Sequence, residues 1–335
     1  LSCYLVSTAA ERVFVEAAEE RGVPESYCSY HKILLGLAET GVMARPRFIL
    51  NTSLACDANQ LTFRRLAEFW DVPHFTVDVP YAPSEESVAQ VAEQLRAMAA
   101  FVQAHGGRPL EEDALRAAVA CSRATVEGYH RYLSLRAERS LSDEMTSEML
   151  SVFATHSMLG SPEALRYTEQ LCAQVAALPE GRRGKRILWL HTLPHWQDSL
   201  RALLNFRPDV EIVGCDMALD ADVLPEPERP YESMARRLVC SSFNGGAERR
   251  AERAAELARL LRAGVLLPLG LQADLRRGPA RQTPAGGRRV PHPGAGWGWL
   301  RQRQRERRPD GHPAPGLSGA AGGMQMIGYT CKYTP

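Results

Sequence analysis

One alternation, met twice, constrains this chain more than any other feature. Residues 46–55 (RPRFILNTSL) and 73–80 (PHFTVDVP) are short apolar runs that read as buried strands, and residues 61–70 between them carry a helical period with Leu61, Leu66 and Phe69 on one face. Strand, helix, strand requires a crossover, so the two strands are expected to lie parallel. The pattern restarts at Lys185: residues 185–196 (KRILWLHTLPHW) and 210–219 (VEIVGCDMAL) are apolar runs ending in polar or turn residues, with a helix expected over 197–206. Between the two units the sequence turns helical. One helix opens with Ser84 as N-cap and a Glu in its first turn and closes at Gly106-Gly107, and others are expected over 110–137, 141–157 and 161–177. The organisation predicted is α/β with a helical insert: a first α/β domain over 1–83, a helical segment over 84–180 and a second α/β domain over 181–265.

A chain of 335 residues, 45% hydrophobic and 24% charged, buries more than one core of ordinary size. The net charge of +1 provides no global basic field for nucleic acid. No stretch approaches the roughly 18–20 apolar residues of a membrane span, and the opening LSCYLVSTAAERVF does not read as a signal peptide. The lack of an initiator Met suggests a fragment. Eight Cys, at 3, 28, 56, 121, 172, 215, 240 and 331, are too dispersed for a disulfide framework, which places the chain in a reducing cytoplasm. After about residue 266 the character changes. From 271 to 320 there is no Ile, Lys, Phe or Tyr, and Arg, Pro and Gly dominate, as in a disordered basic tail.

Ligands of parallel sheets bind beyond the carboxyl ends of the strands, and Cys56, His191 and Cys215 hold such positions. Cys28 directly precedes a helical pattern (Ile33, Leu34, Leu37), where exposed N–H groups favour a thiolate. Cys28 and Cys56 on one rim would offer two thiolates to a metal or cluster, yet there is no CxxC, and spacing alone favours two structural thiols. His191 and His195 either orient a substrate, act as an acid–base pair, or are satisfied half-buried imidazoles. Trp189 and Trp196 are expected in the core, as are the helical Cys121 and Cys172. Asp57 is expected to form an Asx-turn rather than to support a ligand. Residues 241–250 (SSFNGGAERR) read as a Gly-rich strand-to-helix passage with a weak phosphate signal. GxSxG, HExxH and GxxxxGK[ST] are all absent.

Six stretches taken in order carry a more specific likeness: CSYHKILLG (28–36), LNTSLACDANQLTFRRLAEFW (50–70), PHFTVDVPY (73–81), KRILWLHTLPHWQDSLRALLNF (185–206), VEIVGCDM (210–217) and RPYESMARRLVCSSFNGG (229–246). Together they resemble the 2-hydroxyacyl-CoA dehydratase D-component and benzoyl-CoA reductase family over residues 10–265. The resemblance implies two Rossmann-like α/β domains, a paralogous partner subunit, and a [4Fe–4S] cluster held through three Cys. It also implies an ATP-dependent iron–sulfur activator that delivers one electron at low potential. In the dehydratases a ketyl radical of the acyl-CoA substrate then expels the α-hydroxyl, whereas in the reductases the electrons stay in the product. By this resemblance Cys28 and Cys56 become the first two cluster ligands.

The third ligand is missing from the printed sequence. The family carries a motif like FCHWGCKQT followed by DGDGCD, and LLPLGLQA (266–273) back-translated and read one base later can give CFHWGCKQ. The same offset in 297–318 can give GDGCD and DGQMATRLQAF, so a frameshift near Gly264–Leu266 is expected, with Leu271 in the slot of the third Cys. Residues 266–323 would then be an out-of-frame tail with no selected partner, so nucleic acid is not expected. Residues 324–335 (MQMIGYTCKYTP) resemble the start of a family subunit. Two alternatives remain: a stand-alone cluster-dependent reductase of the family, or a non-catalytic protein that binds nucleic acid through the Arg-rich tail.

Overall fold

In the computed structural model, the described residues are 12–266, apart from 55, 107, 192, 194–197 and 220. The first unit runs α1 (Arg12–Glu20), α2 (Ser29–Glu39), β1 (Ile49–Thr52), α3 (Asp57–Trp70) and β2 (His74–Val77). β1 and β2 pair in parallel, Ile49 opposite His74 through Thr52 opposite Val77, as a strand–helix–strand crossover requires. Helices α4 (Glu85–Gly106), α5 (Glu112–Glu138), α6 (Met145–Thr155) and α7 (Pro162–Ala176) follow. The second sheet contains β3 (Lys185–Trp189), β4 (Val210–Cys215) and β5 (Gly264–Leu266), all parallel in the order β4-β3-β5. Helix α8 (Asp198–Leu204) connects β3 to β4, while α9 (Pro230–Val239) and α10 (Ala247–Leu260) lead to β5. The fold is α/β, with short parallel strands among many helices.

Local chemistry explains several boundaries. The Ser84 hydroxyl accepts the Ser87 N–H at 3.0 Å, and Glu85 and Glu86 occupy the positive end of α4. Ser161 caps α7 by accepting the Ala164 N–H at 3.2 Å, with Pro162 in the first turn, where its missing N–H costs nothing. Gly184 (φ +63°) lies against the backbone of Asp209, so only a residue without Cβ lets β3 and β4 start side by side.

Among the described residues, the buried apolar side chains gather in three clusters. Phe14 and Ala18 of α1 meet Ile33 and Leu37 of α2, Ile49 of β1 and Leu66 of α3. Val77 of β2 packs with Val91 and Leu95 of α4 and with Ala235 and Val239 of α9. Tyr129 and Leu133 of α5, Val152 of α6 and Val175 of α7 cover Leu188, Val213 and Leu257 in the largest cluster.

The structure corrects three expectations. The strands are shorter than the apolar runs, since 185–196 provides ladder residues only as far as Trp189. Helix α3 starts at Asp57 and buries Thr62, Leu66 and Ala67, leaving Leu61 (61% exposed) and Phe69 (45%) on the surface. Thr62 can occupy the inner face because its hydroxyl meets that of Tyr27 at 3.1 Å. Residues 241–246 join helix α9 to helix α10, and no strand precedes them.

Candidate functional site

Cys28 and Cys56 occupy the same kind of position on neighbouring helices, each being the N-cap residue: Cys28 of α2 and Cys56 of α3. Beyond β1, the Thr52 hydroxyl accepts the Leu54 N–H at 3.2 Å and the Asn59 amide donates to Leu54 O at 3.4 Å, which turns the chain and leaves Cys56 exposed. Asp57 lies not in an Asx-turn but in the first turn of α3, where its charge favours the helix dipole. The approach to Cys28 is anchored by Lys32, whose buried ammonium donates to Glu19 Oε1 at 2.6 Å and Glu25 O at 2.9 Å.

The surroundings of Cys28 pull in opposite directions. Burial raises the Cys28 thiol above its ordinary pKa, the N–H groups of Tyr30 and His31 oppose that rise, the Cys56 sulfur adds to it, and Lys32 lowers it. His31 Nε2 lies 3.7 Å from Cys56 Sγ. Two sulfur donors at helix N-termini are soft ligands of the kind a soft metal or iron–sulfur centre takes, although burial outweighs the amides and keeps the Cys28 thiol above its ordinary value. Among the described residues no group of three or more His, Cys, Asp or Glu forms a metal cage. The donors present therefore fit part of a cluster site, and the slot at Leu271 lies outside the described residues.

The rim of the second sheet has a different character. Beyond β3, His191 (φ +72°) donates its backbone N–H to Asp216 Oδ1 at 2.6 Å. Arg250 donates to Asp216 Oδ2 through Nε and Nη2 at 2.9 and 2.6 Å, and its guanidinium sits 4.4 Å above the Phe243 ring. Burial and the charge of Arg250 hold the His191 imidazole down at about 4, so it is neutral at physiological pH. Cys215 is buried at the end of β4, donates to His191 O at 3.4 Å, and has its thiol pushed well up by burial. It is thus a protonated structural thiol. Cys172 and Cys121 likewise donate to helix carbonyls, Gly128 O at 3.1 Å and Ser161 O at 3.2 Å. Trp189 is in the core, while His195 and Trp196 lie outside the described residues.

Sequence reasoning missed what the 241–246 loop does. The buried Asn244 donates to Pro80 O at 2.8 Å and to Val239 O at 3.0 Å, and Gly245 (φ +90°) runs close to the Tyr81 carbonyl. Since Pro80 follows β2 and Phe243 stacks with the Arg250 that grips Asp216, the loop links the carboxyl-end rims of the two sheets. An Asn followed by Gly-Gly was the available signal, being a side chain that bonds backbone next to residues free to adopt positive φ. A cavity of about 470 Å³ opens behind the loop, between Cys240, Ser242, Arg249 and Arg253.

No curated protein matches the chain. The family described as 2-hydroxyglutaryl-CoA dehydratase, D-component, matches residues 2–273, which include both N-cap cysteines, the His191–Asp216–Arg250 rim and the loop between the sheets. With most of its length matched, this chain belongs to the 2-hydroxyglutaryl-CoA dehydratase D-component family.

Proposed function

We propose that the protein is the iron–sulfur subunit of a radical (R)-2-hydroxyacyl-CoA dehydratase, acting in the cytoplasm with a paralogous subunit and an ATP-dependent iron–sulfur activator. The observation that carries the reading is the pair of N-cap thiols, Cys28 and Cys56, inside the region matched to the family. These two residues would hold the [4Fe–4S] cluster. When bound, it would supply a single electron to the substrate thioester and take it back, which makes loss of the α-hydroxyl accessible without net redox change.

The chain's own residues prepare the surroundings. Lys32, tied to Glu19 and Glu25, fixes the turn that presents Cys28. The Asp216–Arg250 pair fixes the backbone at His191, and the neutral imidazole can exchange hydrogen bonds with a substrate but is too weak a base to carry a proton near pH 7. The third thiolate belongs in the slot of Leu271, and a single inserted or lost base near Gly264–Leu266 would restore it.

Iron and acid-labile sulfide in anaerobically purified protein test the reading. In the frame-restored protein, Cys28→Ala and Cys56→Ala are each expected to lower both at least severalfold, and unchanged contents in the two variants would remove the ligand assignment. Resequencing the coding DNA from Ala254 onward tests the frame: one inserted or lost base should restore the HWGC motif.

A further inference from the structure

His31 is 9% exposed, and its ring faces the Cys56 sulfur with Nε2 at 3.7 Å from Sγ. Its position is enforced from both helices. The Tyr27 ring meets it edge-on at 5.9 Å, and the Tyr27 hydroxyl donates to Ala58 O at 3.2 Å and contacts Thr62 Oγ1 at 3.1 Å. Both anchors belong to α3, the helix that Cys56 caps, so the imidazole and the sulfur are held in one frame. The other ring nitrogen, Nδ1, is buried and meets no hydrogen-bond partner among the described residues.

That last fact selects the tautomer. If the proton were on Nδ1, a buried N–H would point at no acceptor; if it is on Nε2, only a lone pair is left unpaired, the milder of the two defects. We infer that His31 donates its Nε2–H to the Cys56 sulfur and, as a positioning residue, raises the reduction potential of the iron–sulfur centre this cysteine holds. The potential claim rests on the ligand reading above. A donor hydrogen bond withdraws charge from a ligand sulfur and so favours the more electron-rich, reduced state.

The test has two readouts. In full-length protein purified without iron and labelled with ¹⁵N at histidine, the His31 signal, identified by its loss in His31→Phe, is expected to show the Nε2–H tautomer. An Nδ1–H tautomer overturns the inference. In the frame-restored chain, reconstituted anaerobically, His31→Phe is expected to keep the iron and sulfide but titrate at a lower midpoint potential with an altered EPR signal. His31→Gln, whose amide N–H reaches about as far as Nε2, should recover much of the lost potential. Equal midpoints in wild type, Phe and Gln variants overturn the effect on potential. If Cys28→Ala and Cys56→Ala retain iron while the Nε2–H tautomer is present, the hydrogen bond stands and the ligand reading alone is lost.

Discussion

Glu148 of α6 enters the largest core with one carboxyl oxygen 3.4 Å from the Tyr132 hydroxyl and the other without a hydrogen-bond partner among the described residues. Burial raises its pKa from 4.5 to about 7, against the pull of Arg136 and with the push of Asp143. Between those two values the unfolded chain has released this proton and the folded chain has kept it. Stability from this group is therefore greatest at acid pH, declines as pH rises through the window, and levels off above about 7. At one pKa unit per 1.36 kcal/mol, the loss is on the order of 3 kcal/mol. Glu148→Gln, which keeps the acceptor for Tyr132 and cannot ionise, should raise the urea midpoint at pH 8 and leave it nearly unchanged at pH 4.5. A gain of equal size at both values would assign the effect to packing. Nothing in the SDEMTSEMLSVF stretch distinguishes buried Glu148 from half-buried Glu144, because its burial depends on α5, with Tyr129 and Tyr132, closing over α6. By contrast, the helix-start position of Cys28 was legible, since Ile33, Leu34 and Leu37 already marked the helix that it begins, although spacing alone favoured structural thiols and only the family resemblance made Cys28 and Cys56 ligand candidates.

Among the elements, α2 carries both Cys28 and His31, and its placement depends on how closely α1 approaches. Gly36 is where the two helices touch, and a Cβ there would overlap the carbonyl of Phe14. Backbone cannot yield as a flexible side chain can, so Gly36→Ala must push α1 away from Ile33 and Leu37. Overpacking of this kind costs about 1–3 kcal/mol, and more where backbone is the obstacle. The expected outcome is a loss of at least about 3 kcal/mol in chemical denaturation, together with reduced iron retention, because the Cys28 end of α2 moves with the rest of the helix. Helix propensity alone predicts the opposite sign, since Ala is favoured over Gly by about 1 kcal/mol in a helix interior. This contrast shows what was legible. Periodicity located α2, α4 and the strand cores, but which residue of a helix meets its neighbour is a property of the pair. The same limit shifted the face of α3, where Leu66 went inside as expected, a satisfied Thr62 joined it, and Leu61 and Phe69 went out. Helix α9 announced itself more openly than the reading allowed, with Pro230 at its start, Glu232 in its first turn and Arg236 and Arg237 in its last.

Across the whole molecule, a buried charge triad ties the helical layer to the second sheet. Arg136 of α5, Arg186 of β3 and Glu211 of β4 are all less than 9% exposed. The Glu211 carboxylate accepts from Arg186 Nη1, from Arg136 Nη2 at 3.4 Å, from Ser140 Oγ at 3.0 Å and from the Leu141 N–H at 3.1 Å. Arg186 also donates to Leu261 O at 3.1 Å and to Arg136 O, so one cluster ties the α5–α6 junction, two strands and the end of α10. In the sequence these are three unremarkable charges 50 and 25 residues apart, and only the finished packing makes them partners. Desolvating three charges is expensive, and the attraction between them roughly returns that cost, so the triad as a whole contributes little net stability while each member depends on the others. Glu211→Leu alone leaves two guanidinium groups buried without a counter-charge and is expected to cost about 3–5 kcal/mol. Replacing all three at once, Arg136→Met, Arg186→Leu and Glu211→Leu, should recover most of that loss. Equilibrium urea unfolding of the single and triple variants decides between the two accounts. A triple variant as unstable as the single one would mean that the hydrogen bonds to Ser140, Leu141 and Leu261, rather than the balance of charge, hold the helical layer to the sheet.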